Sequence, residues 1–165
     1  MCVIASSAAL TRLSEWPRIK LANLPTPIHP LARLGEALGR PALDLLVKLD
    51  SETGFGLGGN KVRKLEFELA PDRLEGITCL ITAGGPQSNH CRVTAAAARL
   101  GLRCALIVNG PEPETPTGNA LLHRLFGAEI VTVPERKDRS TQLQSTAADI
   151  EMEGGHPLVI PIGAS

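Results

Sequence analysis

Short apolar runs alternate with amphipathic stretches along the later part of the chain. ITCLITA (77–83), RCALIVN (103–109), AEIVTV (128–133) and PLVIPI (157–162) read as strands. Between them, SNHCRVTAAAARLG (88–101), GNALLHRLFGA (118–128) and TQLQSTAADIEMEGG (141–155) carry the wider apolar spacing of helices. The strands are apolar on both faces, the pattern required when helices cover both sides of a parallel sheet. Gly101, Gly127 and Gly154 stand where the helices should stop. A β-α-β-α-β-α-β string with right-handed crossovers predicts an α/β fold, an open, doubly wound parallel sheet of about four strands.

The earlier part follows a different pattern. NLPTPIHP (23–30) is too rich in proline to predict a regular element, PLARLGEALG (30–39) predicts a short helix, and LDLLVKL (43–49) predicts a strand with no evident partner in the chain. The turn-rich SETGFGLGGN (51–60) leads into a further helix, NKVRKLEFELA (60–70). Residues 1–58 are therefore expected to be a segment of a larger domain, with exposed apolar edges and loose order, and residues 59–165 a small α/β domain.

Composition narrows the function classes. The 165 residues carry 17 Lys+Arg against 17 Asp+Glu, a formal charge of zero. Nothing here suggests a nucleic-acid binder or a polybasic membrane anchor. Aromatics are 2% with no tyrosine, so the core must be built from Leu, Ile, Val and Ala, and no chemistry can use a phenol. The cysteines at 2, 79, 91 and 104 have no metal-site spacing, and Cys79 and Cys104 fall inside apolar runs as buried thiols would. With neither a leader-type cleavage pattern nor a long apolar span, the expected compartment is the reducing cytoplasm.

Two loop-to-helix junctions can carry chemistry. Gly54-Phe55-Gly56-Leu57-Gly58-Gly59-Asn60-Lys61 contains a literal G-x-G-x-x-G, which opens the reading of a Rossmann-like dinucleotide-binding module. Against it, Asp50 to Thr53 intervene between strand and first glycine, and ITCLITAGG ends without the acid that would hold a ribose. The junction also places Lys61 in the first turn of a helix with Asn60 as N-cap. The positive end of the helix dipole disfavours an ammonium there, and a neutral amine is what a Schiff base requires. Arg63 and Lys64 are expected on the flank or facing solvent, Lys64 pairing with Glu68; all three cations could equally be a solvated helix face.

The second junction, Ala83-Gly84-Gly85-Pro86-Gln87-Ser88-Asn89-His90, leaves a strand and enters a helix. Glycines permit close backbone approach, and the amides at a helix start suit a carboxylate or phosphate. Ser88, Asn89 and His90 add a hydroxyl, an amide and an imidazole at the carboxyl end of the sheet. The plainer reading is a Ser88 N-cap with polar neighbours. His29, His123 and His156 read as solvated or structural.

Taken together, GGNKVRKLEF (58–67), ITAGGPQSNHCRVTAAAARLGL (81–102), TGNALLHRLFGAEI (117–130) and VIPIGAS (159–165) resemble, in order and spacing, the aminocyclopropane-carboxylate deaminase and D-cysteine desulfhydrase family. These are pyridoxal-phosphate enzymes of the tryptophan-synthase β type, fold type II. The resemblance runs from about Leu24 to the last residue and matches the first half of the family's usual length. It implies that Lys61 carries pyridoxal 5'-phosphate as an internal aldimine and shuttles a proton, with Asn60 beside it and Asn89 on the cofactor's ring hydroxyl oxygen. It implies that Gln87, Ser88, Asn89 and His90 hold the carboxylate of a small amino-acid substrate, Ser88 being nucleophile or acid/base partner. Ser-Asn-His at 88–90 resembles the desulfhydrase branch, hence β-elimination from D-cysteine to pyruvate, ammonia and sulfide, with cyclopropane ring opening as the other activity of the family. Two departures stand out: Lys48-Leu49-Asp50-Ser51, where a Lys-Arg pair followed by two acids is usual, and Pro86, where an aliphatic residue is common. The family's phosphate cup, the partner of its pyridine nitrogen and its substrate-site tyrosine come from a second half. The expectation is therefore a poorly active half of a homodimeric enzyme, or a non-catalytic remnant or interaction module.

Overall fold

A computed structural model describes residues 12–40 and 45–162. The elements run β1 (Ile28–Pro30), α1 (Ala32–Ala37), β2 (Leu46–Lys48), α2 (Lys61–Glu68), α3 (Pro71–Leu74), β3 (Cys79–Gly84), α4 (Asn89–Ala98), β4 (Arg103–Asn109), α5 (Gly118–Leu125), β5 (Glu129–Val133), α6 (Arg139–Met152) and β6 (Pro157–Val159). Strands β3 to β6 form one four-stranded parallel sheet in the order β5-β4-β3-β6. This is the expected α/β architecture. The chain steps outward from β3 to β5, then α6 crosses back and lays β6 on the other side of β3, so the topology reverses at β3. In open α/β sheets the carboxyl ends at such a reversal are where ligands bind.

The apolar strands make two cores because successive side chains point to opposite faces. Leu80, Cys104, Leu106 and Val108 pack with Val62 and Leu65 of α2 and with Cys91, Val93, Ala95, Ala97 and Ala98 of α4. Cys79, Ile81, Ala83, Ala105 and Ile107 pack on the other face with Leu143 and Ile150 of α6. The alanine run of α4 favours the helix strongly and lets it sit close to the strands. The cysteines at 79, 91 and 104 are buried free thiols; Cys2 lies outside the described residues. PLVIPI yields a strand only to Val159, because Pro161 has no N–H with which to extend the ladder.

The proline-rich stretch departs from expectation. Ile28–Pro30 is a strand and pairs antiparallel with β2, in the register Ile28 to Lys48 and Pro30 to Leu46. The LDLLVKL strand therefore finds its partner within the chain, shortened to Leu46–Lys48, with residues 43–44 outside the described set. Proline is tolerated because this two-stranded ribbon is all edge, and the pair is closed by Leu49 N to Pro27 O and Leu31 N to Leu45 O. Its apolar exposure matches the expectation, with Ile28 at 58% and Leu46 at 64%.

The segment ahead of α2 is fastened to that helix by polar contacts. The buried Glu66 carboxylate accepts from the amides of Leu21 and Ala22, each at 2.9 Å, with Arg18 3.6 Å away. Arg63 grips Asp50 through two hydrogen bonds. No described helix is long and apolar enough to cross a membrane.

Candidate active site

The first junction is a loop folded on itself. Residues Asp50–Thr53 and Phe55–Leu57 form two short 3-10 turns, and Gly58 follows at φ +72°. A Cβ there would lie 1.9 Å from the Ser51 carbonyl oxygen, so only glycine fits. The Gly58 amide donates to Phe55 O, and the Gly59 amide to Asp50 O and the Thr53 hydroxyl. These amides point into the loop rather than outward in a phosphate cradle. The strand before them also belongs to the antiparallel ribbon instead of the parallel sheet. Both facts remove the dinucleotide reading of the glycine motif.

Asn60 occupies the N-cap position of α2, but its backbone is already helical at φ −62°, ψ −20° and its side chain makes no capping bond. This corrects the expected cap: an N-cap side chain turns back onto the first turn from an extended backbone, which Asn60 lacks. Lys61 opens the helix, partly buried. Arg63 lies on the flank of the helix, its side chain about a third exposed and paired. Its Nε and Nη2 donate to the Asp50 carboxylate at 3.0 and 2.7 Å, and this guanidinium holds the Asp50 carboxyl below its usual range. Glu68 meets Arg73, with 2.5 Å between Nη1 and Oε2.

The second junction begins where β3 ends. A Cβ on Gly84 would lie 2.5 Å from Cys91 Sγ and 2.6 Å from Ser88 Oγ, so the turn closes tightly against the start of α4. Ser88 is the N-cap, its Oγ accepting from the Cys91 amide at 3.2 Å, as the plainer reading held. That bond uses a lone pair and leaves the hydroxyl proton available to donate. Asn89 is exposed at the head of the helix.

His90 points elsewhere. Its ring is buried, with Nε2 3.0 Å from the Thr82 hydroxyl, which itself donates to Ile160 O at 2.9 Å. Thr82 has a single proton, so Nε2–H of His90 is the donor between them. Burial, reinforced by the positive charges of Lys61 and Lys64, pushes His90 down from 6.5 to about 4. The imidazole is thus neutral and ties α4 to β3 and, through Thr82, to Ile160 just after β6. As a ligand for a substrate carboxylate the ring is misplaced, because the helical turn after Ser88 carries residue 90 to the inner face.

Two residues given no role by sequence reasoning hold the junctions together. The Asn119 amide nitrogen of α5 donates to the Gln87 carbonyl at 2.8 Å and to Asn89 Oδ1 at 2.9 Å, and its backbone N–H donates to Gln87 Oε1 at 2.8 Å. Gln87 Nε2 reaches Thr117 O at 3.0 Å, so the Gln87 side chain serves as the cap of α5. Arg92 donates to Asn119 Oδ1 at 3.2 Å and to the Gly58 carbonyl in the loop before Lys61. The structure therefore brings Gln87, Ser88 and Asn89 into one turn and links that turn to the lysine loop. The His90 ring and the Asn60 side chain are not part of this network. His123 is buried beneath the turn, Nε2 3.4 Å from Ser88 O, and its burial lowers its proton affinity. The TGN triplet at 117–119 was the one sequence signal for Asn119, and its partners lie 30 and 32 residues away.

These groups fit pyridoxal phosphate in their chemistry. Lys61 offers an amine for an aldehyde, and Asn89, with its oxygen held by Asn119, presents its nitrogen as a donor for an aromatic hydroxylate.

Comparison with known proteins agrees. The model of a family described as pyridoxal-phosphate dependent enzyme matches residues 19–164. Curated D-cysteine desulfhydrases of Salmonella paratyphi B and Salmonella newport are 44% identical over 162 residues, covering 94% of this chain and 48% of theirs. The chain thus spans about half the length of the curated relatives it matches. A solved structure described as an ACC deaminase homologue superposes with a TM-score of 0.83 at 35% identity, covering 93% of this chain and 47% of that one. An O-ureido-L-serine synthase, at 18% identity and TM-score 0.62, shares the fold over 84% of this chain and 41% of its own.

Proposed function

This chain belongs to the pyridoxal-phosphate dependent enzyme family, and we propose that it supplies the lysine-bearing half of a lyase that eliminates the β-substituent of a small amino acid, D-cysteine being the preferred substrate. One observation carries the reading. Arg92 joins the carbonyl of Gly58, three residues before Lys61, to Asn119, which holds the turn containing Gln87, Ser88 and Asn89. An amine and an anion-binding turn on one end of the sheet are what an amino acid condensed with an aldehyde needs. The 44% identity to D-cysteine desulfhydrases favours this substrate over a cyclopropane amino acid.

In this reading Lys61 would be the residue that holds the cofactor, and its amine would carry a proton to or from the substrate's α-carbon. Bound pyridoxal phosphate supplies an electron sink for breaking bonds at that carbon. Asn89 Nδ2 would be the donor to the ring hydroxyl oxygen, and Asn60 would flank the lysine. The backbone amides of Gln87, Asn89 and His90 and the Ser88 hydroxyl would hold the substrate carboxylate, and the Ser88 proton would pass to a leaving group. His90 contributes its backbone to this turn and its ring to the support beneath. Residues 1–58 belong to a larger cofactor domain and 59–165 to a small one, in a cytoplasmic homodimer.

The test is to incubate the protein with pyridoxal phosphate, reduce with borohydride and map the labelled peptide. The label is expected on Lys61 and absent in Lys61→Ala, and sulfide release from D-cysteine is expected of the protein assembled with the remaining part of the family fold. A label on another lysine, or none, would overturn the reading.

A further inference from the structure

Resting on that reading, we propose that Asn119 is the positioning residue that sets which end of the Asn89 amide faces the cofactor. An asparagine side chain presents either an acceptor or a donor depending on a rotation of half a turn about its last bond, and the two ends are nearly the same shape. Something must choose. Here Asn119 Nδ2 lies 2.9 Å from Asn89 Oδ1 and 2.8 Å from the Gln87 carbonyl, so both its amide protons meet acceptors. Its own orientation is fixed in turn, because its oxygen accepts from Arg92 Nη1 at 3.2 Å, and a guanidinium can only donate. Arg92 also donates to Gly58 O. The polarity therefore passes in one direction, from an obligate donor on α4, through Asn119 on α5, to Asn89 Oδ1. Asn89 is left with Nδ2 turned outward as a donor. The Asn119 backbone amide adds the bond to Gln87 Oε1, which keeps the head of α5 against the turn.

Asn119→Asp separates orientation from packing. The carboxylate keeps the shape and still accepts from Arg92, but has no protons for Asn89 Oδ1 or Gln87 O, and repels both. In the protein without cofactor, the side-chain amide resonances of Asn89 in a nitrogen-15 spectrum are expected to shift and to exchange more slowly with solvent in Asn119→Asp, because the Asn89 amide turns over and its protons pair with the carboxylate. Asn119→Ala, which leaves Asn89 unheld, should give an intermediate averaged signal. With cofactor added, Asn119→Asp should weaken pyridoxal phosphate binding about tenfold or more, one hydrogen bond to a charged oxygen. It should also move the pH midpoint of the bound chromophore's absorbance change. In an Asn89→Ala background the Asn119→Asp substitution should cost no further affinity, since it acts through Asn89. Unchanged Asn89 resonances, or an equal additional loss in the Asn89→Ala background, would overturn the proposal. Borohydride labelling at Lys61 in Asn119→Asp at saturating cofactor keeps the two readings apart: loss of the Asn89 signature with Lys61 still labelled counts for the positioning role, while absence of label in the unsubstituted protein counts against the lyase reading alone.

Discussion

In β3 and β4 every buried side chain except Thr82 is apolar, whereas the chain from Arg18 to Gly59 meets α2 through a buried carboxylate, an arginine clasp and a string of backbone amides. The buried core begins at Val62; Ile19, Leu21, Ala22 and Phe55 only pack against its margin. Large apolar side chains at Trp16, Ile28, Leu38, Leu46 and Leu57 are more than half exposed. The contrast shows two ways of holding a lysine loop in place. The sheet provides a non-directional, dry platform, while the segment before it supplies directional contacts that fix the loop's path but bury little surface.

Substitution in the sheet should have the largest effect. Leu106→Ala, at a site with no exposure, is expected to lower global stability by about 3–4 kcal/mol, read as a shift of the urea midpoint with both regions unfolding. If only the sheet lost protection, the two regions would be uncoupled and the contrast sharper than stated. Acid comes next. His90 is held near 4 when folded against 6.5, so the unfolded chain takes up a proton that the folded chain refuses, and stability falls as pH drops from 6.5 to 4. The expected loss is about 3 kcal/mol, since 2.5 units correspond to that much, with His123 adding in the same direction. A His90→Gln variant should show a flatter profile across that window, and an equally steep one would rule out His90 as its cause.

Glu66→Ala removes the acceptor of two amides and should cost about 2 kcal/mol, confined to the segment ahead of α2. Hydrogen exchange at Leu21 and Ala22 should accelerate while β3 and β4 keep their protection; equal acceleration in the strands would refute the division. Asp50→Asn is the smallest, about 1 kcal/mol, because the pair with Arg63 is about a third exposed and screened. Its acid signature runs lower than that of His90. The Asp50 carboxyl lies below its ordinary 3.8, so its stabilisation persists above that value and is lost as pH falls through the lower folded value. Proteolysis of the loop near Gly58 at pH 3 would follow it.

The parallel sheet was legible because its strands are apolar on both faces and separated by helix-length spacers, a pattern local in the chain. The glycine bend before Lys61 and the Ser88 cap were legible for the same reason, as turn chemistry is decided within a few residues. The β1 strand was not, since proline content argues against a strand everywhere but at an edge, and an edge is a tertiary property. Asn60 and His90 were misjudged in direction rather than in place: their positions at helix starts were right, but which way the side chain turns depended on φ and ψ at residue 60 and on Thr82 lying beneath residue 90.

The sequence by itself determined the alternation of strands and helices from Cys79 onward, the two glycine-bearing junctions and the presence of a lysine and an Asn-containing turn. These follow from side-chain periodicity and backbone freedom, which act over one or two turns of chain. The tertiary structure alone decided that Arg92 and Asn119 would lock those junctions together, that Arg63 would pair with Asp50, and that the His90 ring would lie inside. Hydrogen bonds and desolvation depend on partners up to 78 residues apart, as Thr82 and Ile160 are, and no local pattern encodes which of several polar groups will meet.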